Sequence, residues 1–274
     1  MRFDWYQATV PNEAGQVLDA LQAGLRPAKV THGKGRYNYR HTTTMQGDDD
    51  DTLAVVFHGG RNGDPNVALT GQGTDDGVKV LRGAFPRHRV TRFDAAEDFV
   101  QVGAWERLEG VLRAVAVEHR VKGRAIVPDD ISEGRTYYLG APSSDVRVRL
   151  YEKTAEQRRK LPEDRWREVP EGWSRLECQV RPSDRQVREF CAGLNASDVW
   201  GFSAWTKAAA AQALQLDVER LHSRIKRERD DDRALRVMVQ QYANVLKRLH
   251  GDLGDWSCVG LTIGEIVAKL DSGT

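Results

Sequence analysis

The chain has 274 residues, of which 40% are hydrophobic and 30% charged, and its formal net charge at pH 7 is +1. This composition supplies enough apolar side chains for a packed core and argues against wholesale disorder. The sequence has no run of about 18 apolar residues and no secretory segment at its start, so we expect a cytoplasmic protein without membrane association. The near-neutral charge gives no global sign of nucleic-acid binding, although cations cluster at 147–167 and 220–229.

Short strands separated by turns are predicted along the first two thirds of the chain. The strand-like segments are 52–58, 66–70, 89–100, 135–139, 145–152 and 173–180. Helical periodicity is present at 77–85 and 105–119, and a charged connection that is helical or disordered covers 154–170. This order indicates an α+β fold with a mostly antiparallel central sheet, one face of which is covered by helices while the other is open for chemistry.

The sequence changes character after Asn195, where helical signals dominate. We therefore predict a division into residues 1–195 and a helical C-terminal region, residues 196–274. Apolar residues at helical spacing between Leu235 and Leu249 fit packing against a neighbouring helix, and a dimer seam or a helix that reads the origin is the alternative. No internal repeat is visible in the sequence.

Residues 145–153 carry the most informative charge pattern in the chain. With the two-residue period of a strand, one face receives Asp145, Arg147, Arg149, Tyr151 and Lys153. The alternate positions 146, 148 and 150 are apolar and can pack on a core. Three cations around one phenol add little to stability, but a site that binds phosphate and uses tyrosine as a nucleophile needs them. A lone tyrosine at such a position is more often an edge-packing aromatic, so the neighbouring strands decide between the two interpretations.

Two further strands place carboxylates on a polar face. The alternating polar residues are Arg92, Asp94 and Asp98 in the first strand and Arg175 and Glu177 in the second. Asp94 and Asp98 lie roughly 13 Å apart along a strand, so we rank Asp94 above Asp98 as a direct metal ligand. A glutamate within a central strand needs a partner, which an oxygen-binding divalent cation would supply. An ordinary cross-strand ion pair with arginine is the alternative.

Three segments resemble, in the same order, three motifs of one protein family. Residues 136–153 resemble the strand pair Y-x-G-x-R-x-S-x-x-x-x-R-x-Y-x-K, residues 91–98 resemble T-R-x-D-x-A-x-D, and residues 174–177 resemble W-R-V-E. The family comprises rolling-circle replication initiators of plasmids, phage replication initiation factors and some relaxases of conjugative elements. The resemblance covers roughly residues 90–180.

The resemblance implies a role for each matching residue. Tyr151 would be the nucleophile, with Arg149 and Lys153 as the catalytic cations beside it. Asp94, Glu177 and Asp98 would bind Mg²⁺ or Mn²⁺. The matching positions for contact with DNA are Arg147, Tyr138, Ser144, Arg92 and Arg175. The family often has an arginine where this chain has Pro142, and Arg147 is the expected source of the missing phosphate contact.

The implied function is initiation of rolling-circle replication. Metal-dependent attack by tyrosine on one strand at an origin would leave a 5′-phosphotyrosine link and a 3′ hydroxyl that a polymerase extends, and the strands would be rejoined later. The neighbouring cations are expected to favour the phenolate. Expected partners are origin DNA that is single-stranded at the nick, a second copy in a homodimer, and a host helicase and polymerase. Residues 196–274 would serve DNA specificity or dimerisation. A catalytically inactive DNA-binding regulator and a conjugative relaxase are the alternatives.

Overall fold

The computed structural model describes residues 1–221 and 230–271. The strands in these ranges are β1 (Arg2–Thr9), β2 (Lys29–Lys34), β3 (His41–Gln46), β4 (Thr52–His58), β5 (Asn66–Thr70), β6 (Arg89–Val100), β7 (Gly123–Ile126), β8 (Thr136–Leu139), β9 (Val146–Glu152) and β10 (Trp173–Val180). The α-helices are α1 (Ala14–Leu25), α2 (Thr74–Ala84), α3 (Ala104–Glu118), α4 (Lys153–Arg158), α5 (Arg185–Cys191), α6 (Ala204–Leu214), α7 (Asp230–Gln241), α8 (Ala243–Leu253) and α9 (Trp256–Asp271). Across these ranges no helix combines the length and the apolar character that crossing a membrane requires.

The ten strands form one sheet in the order β2-β3-β4-β5-β1-β6-β10-β9-β8-β7. Each neighbouring pair is antiparallel. Together with the helices, this sheet confirms the predicted α+β fold with an antiparallel centre.

The sheet consists of two halves with the same connectivity. In the first half, β1 leads into α1, and the meander β2 to β5 returns so that β5 pairs with β1. In the second half, β6 leads into α3, and the meander β7 to β10 returns so that β10 pairs with β6. Because β1 and β6 pair antiparallel at the centre, an approximate twofold axis relates the halves. The fold therefore contains an internal structural repeat that is not visible in the sequence.

Strand alternation gives the sheet a covered face and an open face. The covered face holds fully buried side chains such as Tyr6, Phe93, Leu150 and Leu176. Helices α1, α2, α3 and α5 pack against strands of the sheet. Burying a leucine stabilises the fold by about 2 kcal/mol. A one-residue slip of β9 would exchange Leu150 with Tyr151, so this core fixes which residues reach the open face.

The chain divides into two compact units, residues 1–222 and residues 223–274. The first unit includes α6 and a short 3₁₀ helix over residues 197–202, which contacts β6 and β10 and carries the fully buried Trp200. This boundary lies later than the predicted division after Asn195, because the 3₁₀ helix packs on the sheet and α6 packs on α3 and on the 3₁₀ helix. In the second unit α8 packs on α9. The roles expected of the C-terminal region stay predictions.

Candidate active site

The predicted site residues meet on the open face of the second half of the sheet. In the register of three adjacent strands, Tyr151 on β9 lies opposite Arg175 on β10, and Arg175 lies opposite Asp98 on β6. One step along the strands, Arg149 lies opposite Glu177. Strand alternation alone therefore places the phenol, the arginines and the carboxylates on one surface.

Tyr151 is almost buried, with 7% of its surface exposed. The Arg149 guanidinium stacks on its ring, with Cζ 4.2 Å from the ring centroid. Burial raises the pKa of Tyr151 and the Glu177 carboxylate raises it further, whereas Arg175 and Arg149 act in the opposite direction without compensating. Arg149 therefore favours the phenolate as expected, but burial outweighs it and the net pKa of Tyr151 is raised.

Lys153, the first residue of α4, lies beside the phenol. Its Nζ donates a hydrogen bond to the Tyr151 oxygen at 3.4 Å and another to Glu156 Oε2 at 2.7 Å. Burial lowers the pKa of Lys153, although the hydrogen bond to Glu156 opposes this. Burial would raise the pKa of Glu156, but hydrogen bonds from Lys153 and Lys160 outweigh it and lower the pKa to about 2. Glu156 was not predicted, because its spacing from Lys153 becomes meaningful only once residues 153–158 are known to be helical.

Two arginines, the buried Arg175 and the partly exposed Arg149, hold carboxylates on the site. Arg149 binds Glu177 through Nε at 3.1 Å and Nη2 at 3.0 Å. Arg175 binds Asp98 at 2.7 and 2.8 Å and also donates to Asp4 at 2.7 Å. Burial raises the pKa of Glu177, and Arg149 counteracts it. Asp4, on β1, was missed as a site residue because it lies far from Arg175 along the chain.

Asp94 is a buried carboxylate at the edge of this group. Arg92 binds it through Nε at 3.0 Å and Nη2 at 2.5 Å, and Gln179 donates to it at 3.2 Å. The Arg92 guanidinium also lies over the Trp5 ring, 4.7 Å from its centroid. Arg92 therefore holds Asp94 in place and stacks on Trp5.

The three carboxylates are of the kind that binds a divalent cation, but they stand apart on the sheet. Glu177 lies opposite Ala96, which places Asp94 and Asp98 at the two diagonal positions. Diagonal neighbours are about 7–8 Å apart, and carboxylate oxygens are ligands that Mg²⁺ accepts. Arginines bind all three carboxylates, and across residues 1–221 and 230–271 no three acidic, histidine or cysteine groups gather closely enough to hold an ion. Binding an ion therefore requires at least one arginine to release its carboxylate.

Arg147 offers an unused hydrogen-bond donor. Its guanidinium stacks on Tyr138, with Cζ 3.7 Å from the ring centroid, and its buried Nε has no hydrogen-bond partner. Burial lowers the pKa of Arg147, and three neighbouring arginines (Arg149, Arg181 and Arg124) lower it further. A buried donor among cations suits an anionic ligand.

The remaining predicted positions separate by location. Ser144 lies in the turn before β9, where its Oγ accepts a hydrogen bond from the Val146 amide at 3.3 Å. Pro142 is in the same turn, at the opposite end of β9 from Tyr151. Tyr137 is buried on the covered face, whereas Tyr138 is half-buried on the open face. Ser144 therefore shapes the turn and does not enter the group around Tyr151.

A polar cleft of about 270 Å³ opens beside Tyr151. Its lining consists of Asp4, Glu133, Arg135, Thr136, Arg149, Tyr151, Glu152, Lys153, Glu156 and Arg159. Arg135 bridges Glu152 at 2.7 Å and Glu106 at 3.0 Å. Such a lining favours a charged, hydrogen-bonding ligand over an apolar one.

Comparison with solved structures supports the predicted resemblance at the level of the fold. The chain superposes on a structure titled rolling circle replication initiator protein from Geobacillus stearothermophilus with a TM-score of 0.52. The two sequences are 23% identical, and the match covers 73% of this chain and 82% of that chain. No family model and no curated protein matches the sequence. The chain therefore shares its fold with a rolling-circle initiator.

Proposed function

We propose that this protein initiates rolling-circle replication by nicking one DNA strand at an origin. Tyr151 would become linked to the 5′ phosphate, a 3′ hydroxyl would be released as a primer, and the strands would later be rejoined. The observation that carries this proposal is a phenol at a polar cleft, between arginines and carboxylates, on a fold shared with a rolling-circle initiator. Attack on a phosphodiester uses such a set of groups.

The proposed reaction exchanges one phosphodiester for another. The Tyr151 oxygen forms a bond to phosphorus, and the bond from phosphorus to the 3′ oxygen of the preceding nucleotide breaks. The phenol proton passes to Lys153, whose Nζ lies 3.4 Å away, and the departing 3′ oxygen takes a proton from solvent. Because burial lowers the pKa of Lys153, the neutral amine that accepts this proton forms more readily than it does in an exposed lysine.

The surrounding cations would bind the scissile phosphate. Arg149 stacks on the Tyr151 ring and lines the cleft, so its guanidinium is close to any phosphate that reaches the phenol. The unpartnered Nε of Arg147 provides a further donor toward the backbone of the same strand. Charge-assisted hydrogen bonds from arginine stabilise the negative charge that accumulates on the phosphate during attack.

A divalent cation, Mg²⁺ or Mn²⁺, belongs to the proposal. Asp94 and Glu177 would hold it, with Asp98 as the third candidate, because these carboxylates occupy diagonal positions on neighbouring strands. When bound, such an ion polarises the phosphate and stabilises the charge of the transition state. Arg149, once released from Glu177, would keep its place beside the phenol through its stacking on the ring.

The proposed substrate is single-stranded at the nick. Tyr151 is nearly buried, so a phosphate must approach through the cleft, and a strand free of its complement can do so at the lowest cost in unpairing. The homodimer, the host helicase and polymerase, and the role of residues 196–274 in specificity or dimerisation rest on the family resemblance. A conjugative relaxase would use the same chemistry at a transfer origin.

Cleavage of single-stranded DNA tests the proposal. Oligonucleotides that tile the DNA around the coding sequence would be incubated with the protein and Mn²⁺, and the products separated on a denaturing gel. We expect Tyr151→Phe to lose cleavage and keep binding, while the matched variant Tyr138→Phe keeps both. If the wild-type protein binds one oligonucleotide specifically and never cuts it, the inactive DNA-binding regulator is the correct alternative.

A further inference from the structure

The β2–β3 connection, residues 34–41, combines cations with aromatic rings. Its sequence is Lys-Gly-Arg-Tyr-Asn-Tyr-Arg-His. The Gly35 amide donates to the Arg40 carbonyl at 2.9 Å, and the Tyr39 amide donates to the Arg36 carbonyl at 3.0 Å, so the loop is held by its own backbone. We refer to residues 34–41 together with Phe57 as the aromatic hairpin.

Two tyrosines and a phenylalanine form its surface. The Tyr37 and Phe57 rings meet edge to face with centroids 5.7 Å apart, and Tyr39 lies 6.2 Å from Phe57. Tyr37 is 77% exposed, and its φ of 53° is followed by a φ of 70° at Asn38. Two consecutive left-handed residues, closed by the hydrogen bond from the Tyr39 amide to the Arg36 carbonyl, form the type I′ turn that short β-hairpins favour. The backbone here holds a large ring out in solvent.

The aromatic hairpin lies on the same open face as Tyr151. Phe57 on β4 lies opposite Asn66 on β5. Asn66 accepts a hydrogen bond at 2.6 Å from Gln7 on β1. Gln7 in turn lies opposite Arg92 on β6, which belongs to the open face. From β4 to β9 there are five strand spacings, which amount to roughly 24 Å across the sheet. A DNA strand crossing the open face can therefore contact both places.

Unpaired cations surround the rings. Lys34, Arg36, Arg40 and Arg61 are exposed, and none of them forms an ion pair with a residue in the described parts of the chain. Asp64, a neighbouring carboxylate, is bound by Arg89 at 2.6 Å. The hairpin therefore presents excess positive charge together with exposed aromatic surface.

We propose that the aromatic hairpin binds single-stranded DNA, with Tyr37 stacking on a base and Arg36 and Arg40 contacting phosphates. Exposed aromatic rings within a cationic surface bind single strands in this manner, with little dependence on sequence. The DNA strand cut at Tyr151 would thereby be held at a second place on the same face. This inference rests on the proposed function only in that both require DNA as the ligand.

Binding measured without cleavage tests the hairpin separately from the nuclease site. The full chain is titrated into a fluorescent oligothymidine of about 20 nucleotides in the presence of a chelator, and anisotropy is recorded. We expect Tyr37→Ala, and separately the double variant Arg36→Gln with Arg40→Gln, to weaken binding about 10-fold. The thermal unfolding midpoint of Tyr37→Ala should stay unchanged because the ring is exposed.

Matched controls come from the covered face and from a different loop. Phe190→Ala removes an exposed aromatic ring from α5, and Arg26→Gln removes an exposed cation at the end of α1. Both should bind the oligothymidine like the wild-type protein. Equal affinity of the hairpin variants and the wild type, or equal weakening in the controls, overturns the proposal.

Photo-crosslinking distinguishes failure of the hairpin from failure of the proposed function. An oligonucleotide carrying 5-iododeoxyuridine should crosslink to a peptide containing residues 35–40, in the wild-type protein and in Tyr151→Phe alike. Crosslinks confined to β8, β9 or the second compact unit would overturn the hairpin proposal and leave Tyr151 chemistry untouched. Normal cleavage by Tyr151→Phe would overturn the nicking assignment and leave the hairpin untouched.

Discussion

The two halves of the sheet share one topology and differ in chemistry. In the second half a row of four adjacent strands reads Asp98, Arg175, Tyr151 and Thr136. In the first half, the row that passes through Phe57 on the equivalent strand reads Thr9, Asn66, Phe57 and Thr42. One row holds a phenol within ion pairs, whereas the other holds an aromatic ring among neutral side chains. The fold thus supplies the same framework twice, and side chains confine the proposed reaction to one half.

The next row makes the energetic difference clear. The second half places Glu177 and Arg149 side by side, where the first half has Ala68 and Val55. The Glu177 carboxylate is buried and must leave water, although Arg149 is partly exposed, so the pair contributes little net stability relative to apolar residues. The first half shows that the framework forms without such a pair. Charge on the second half is therefore better explained by function than by folding.

The largest expected effect on cleavage comes from removing the hydroxyl of Tyr151 and placing one on Phe57 instead. Tyr151→Phe should reduce cleavage on the order of 10⁴-fold or more, since the nucleophile is gone. Adding Phe57→Tyr to that variant puts a tyrosine in the first half, but no cleavage should return because the row through Phe57 lacks the carboxylates and paired arginines that surround Tyr151. Cleavage is measured with a labelled single strand, and recovery in the double variant would contradict the account.

Substitution of Lys153 should produce the second-largest effect. Loss of a proton acceptor slows such reactions about 10²- to 10⁴-fold, and Lys153→Arg should be as slow as Lys153→Met because arginine stays protonated. In the wild-type protein the rate should fall as pH decreases through the lowered pKa of Lys153, since the neutral amine is the active form. Single-turnover rates across pH check this.

Lys160→Met is the control for that experiment. Lys160 is exposed and binds the same Glu156 at 2.7 Å, so its loss perturbs the carboxylate without removing the group beside the phenol. A full rate in Lys153→Arg would show that positive charge, and not proton transfer, is what the position supplies.

Metal dependence should yield an intermediate effect. A chelator should stop cleavage and added Mn²⁺ should restore it, and Asp94→Asn or Glu177→Gln should raise the Mn²⁺ concentration needed for half-maximal rate about 10-fold or more. Asp64→Asn, which removes a paired carboxylate from the first half, should leave that concentration unchanged. Cleavage that continues in the chelator would remove the metal from the mechanism.

The smallest expected effect concerns the orphaned donor of Arg147. If Arg147 contacts a backbone phosphate, Arg147→Gln should reduce the slope of log binding constant against log salt concentration by about 0.7 for single-stranded DNA. Arg26→Gln, which changes an exposed cation away from the open face, should leave the slope as it is. A wild-type slope in Arg147→Gln would mean that this guanidinium makes no phosphate contact.

The sequence predicted the second half of the sheet better than the first. Strands 89–100 and 173–180 were predicted with the bounds observed, because each alternates over many residues. Strand β2 was missed since it is an exposed edge strand of mostly polar residues without such alternation. The repeat was missed as well, because the corresponding rows of the two halves have different side chains.

The sequence predicted which side chains share the site's face, but it predicted their chemical properties only in part. Alternation correctly put Tyr151, Arg149 and Glu177 on one face. It could not show that burial would raise the pKa of Tyr151, since that depends on how closely other chain segments enclose the ring. Asp4 and Glu156 join the site through tertiary contacts, so no local pattern indicated them.

The most direct test of the account is the identity of the residue that becomes linked to DNA. The protein is incubated with a cleavable single strand and Mn²⁺, digested, and the nucleotide-bearing peptide is identified by mass spectrometry. We predict a 5′-phosphate adduct on Tyr151 in the wild-type protein and no adduct in Tyr151→Phe. An adduct on Tyr138, on another tyrosine or on a different residue type, or cleavage without any adduct, would contradict the assignment of Tyr151 as the nucleophile.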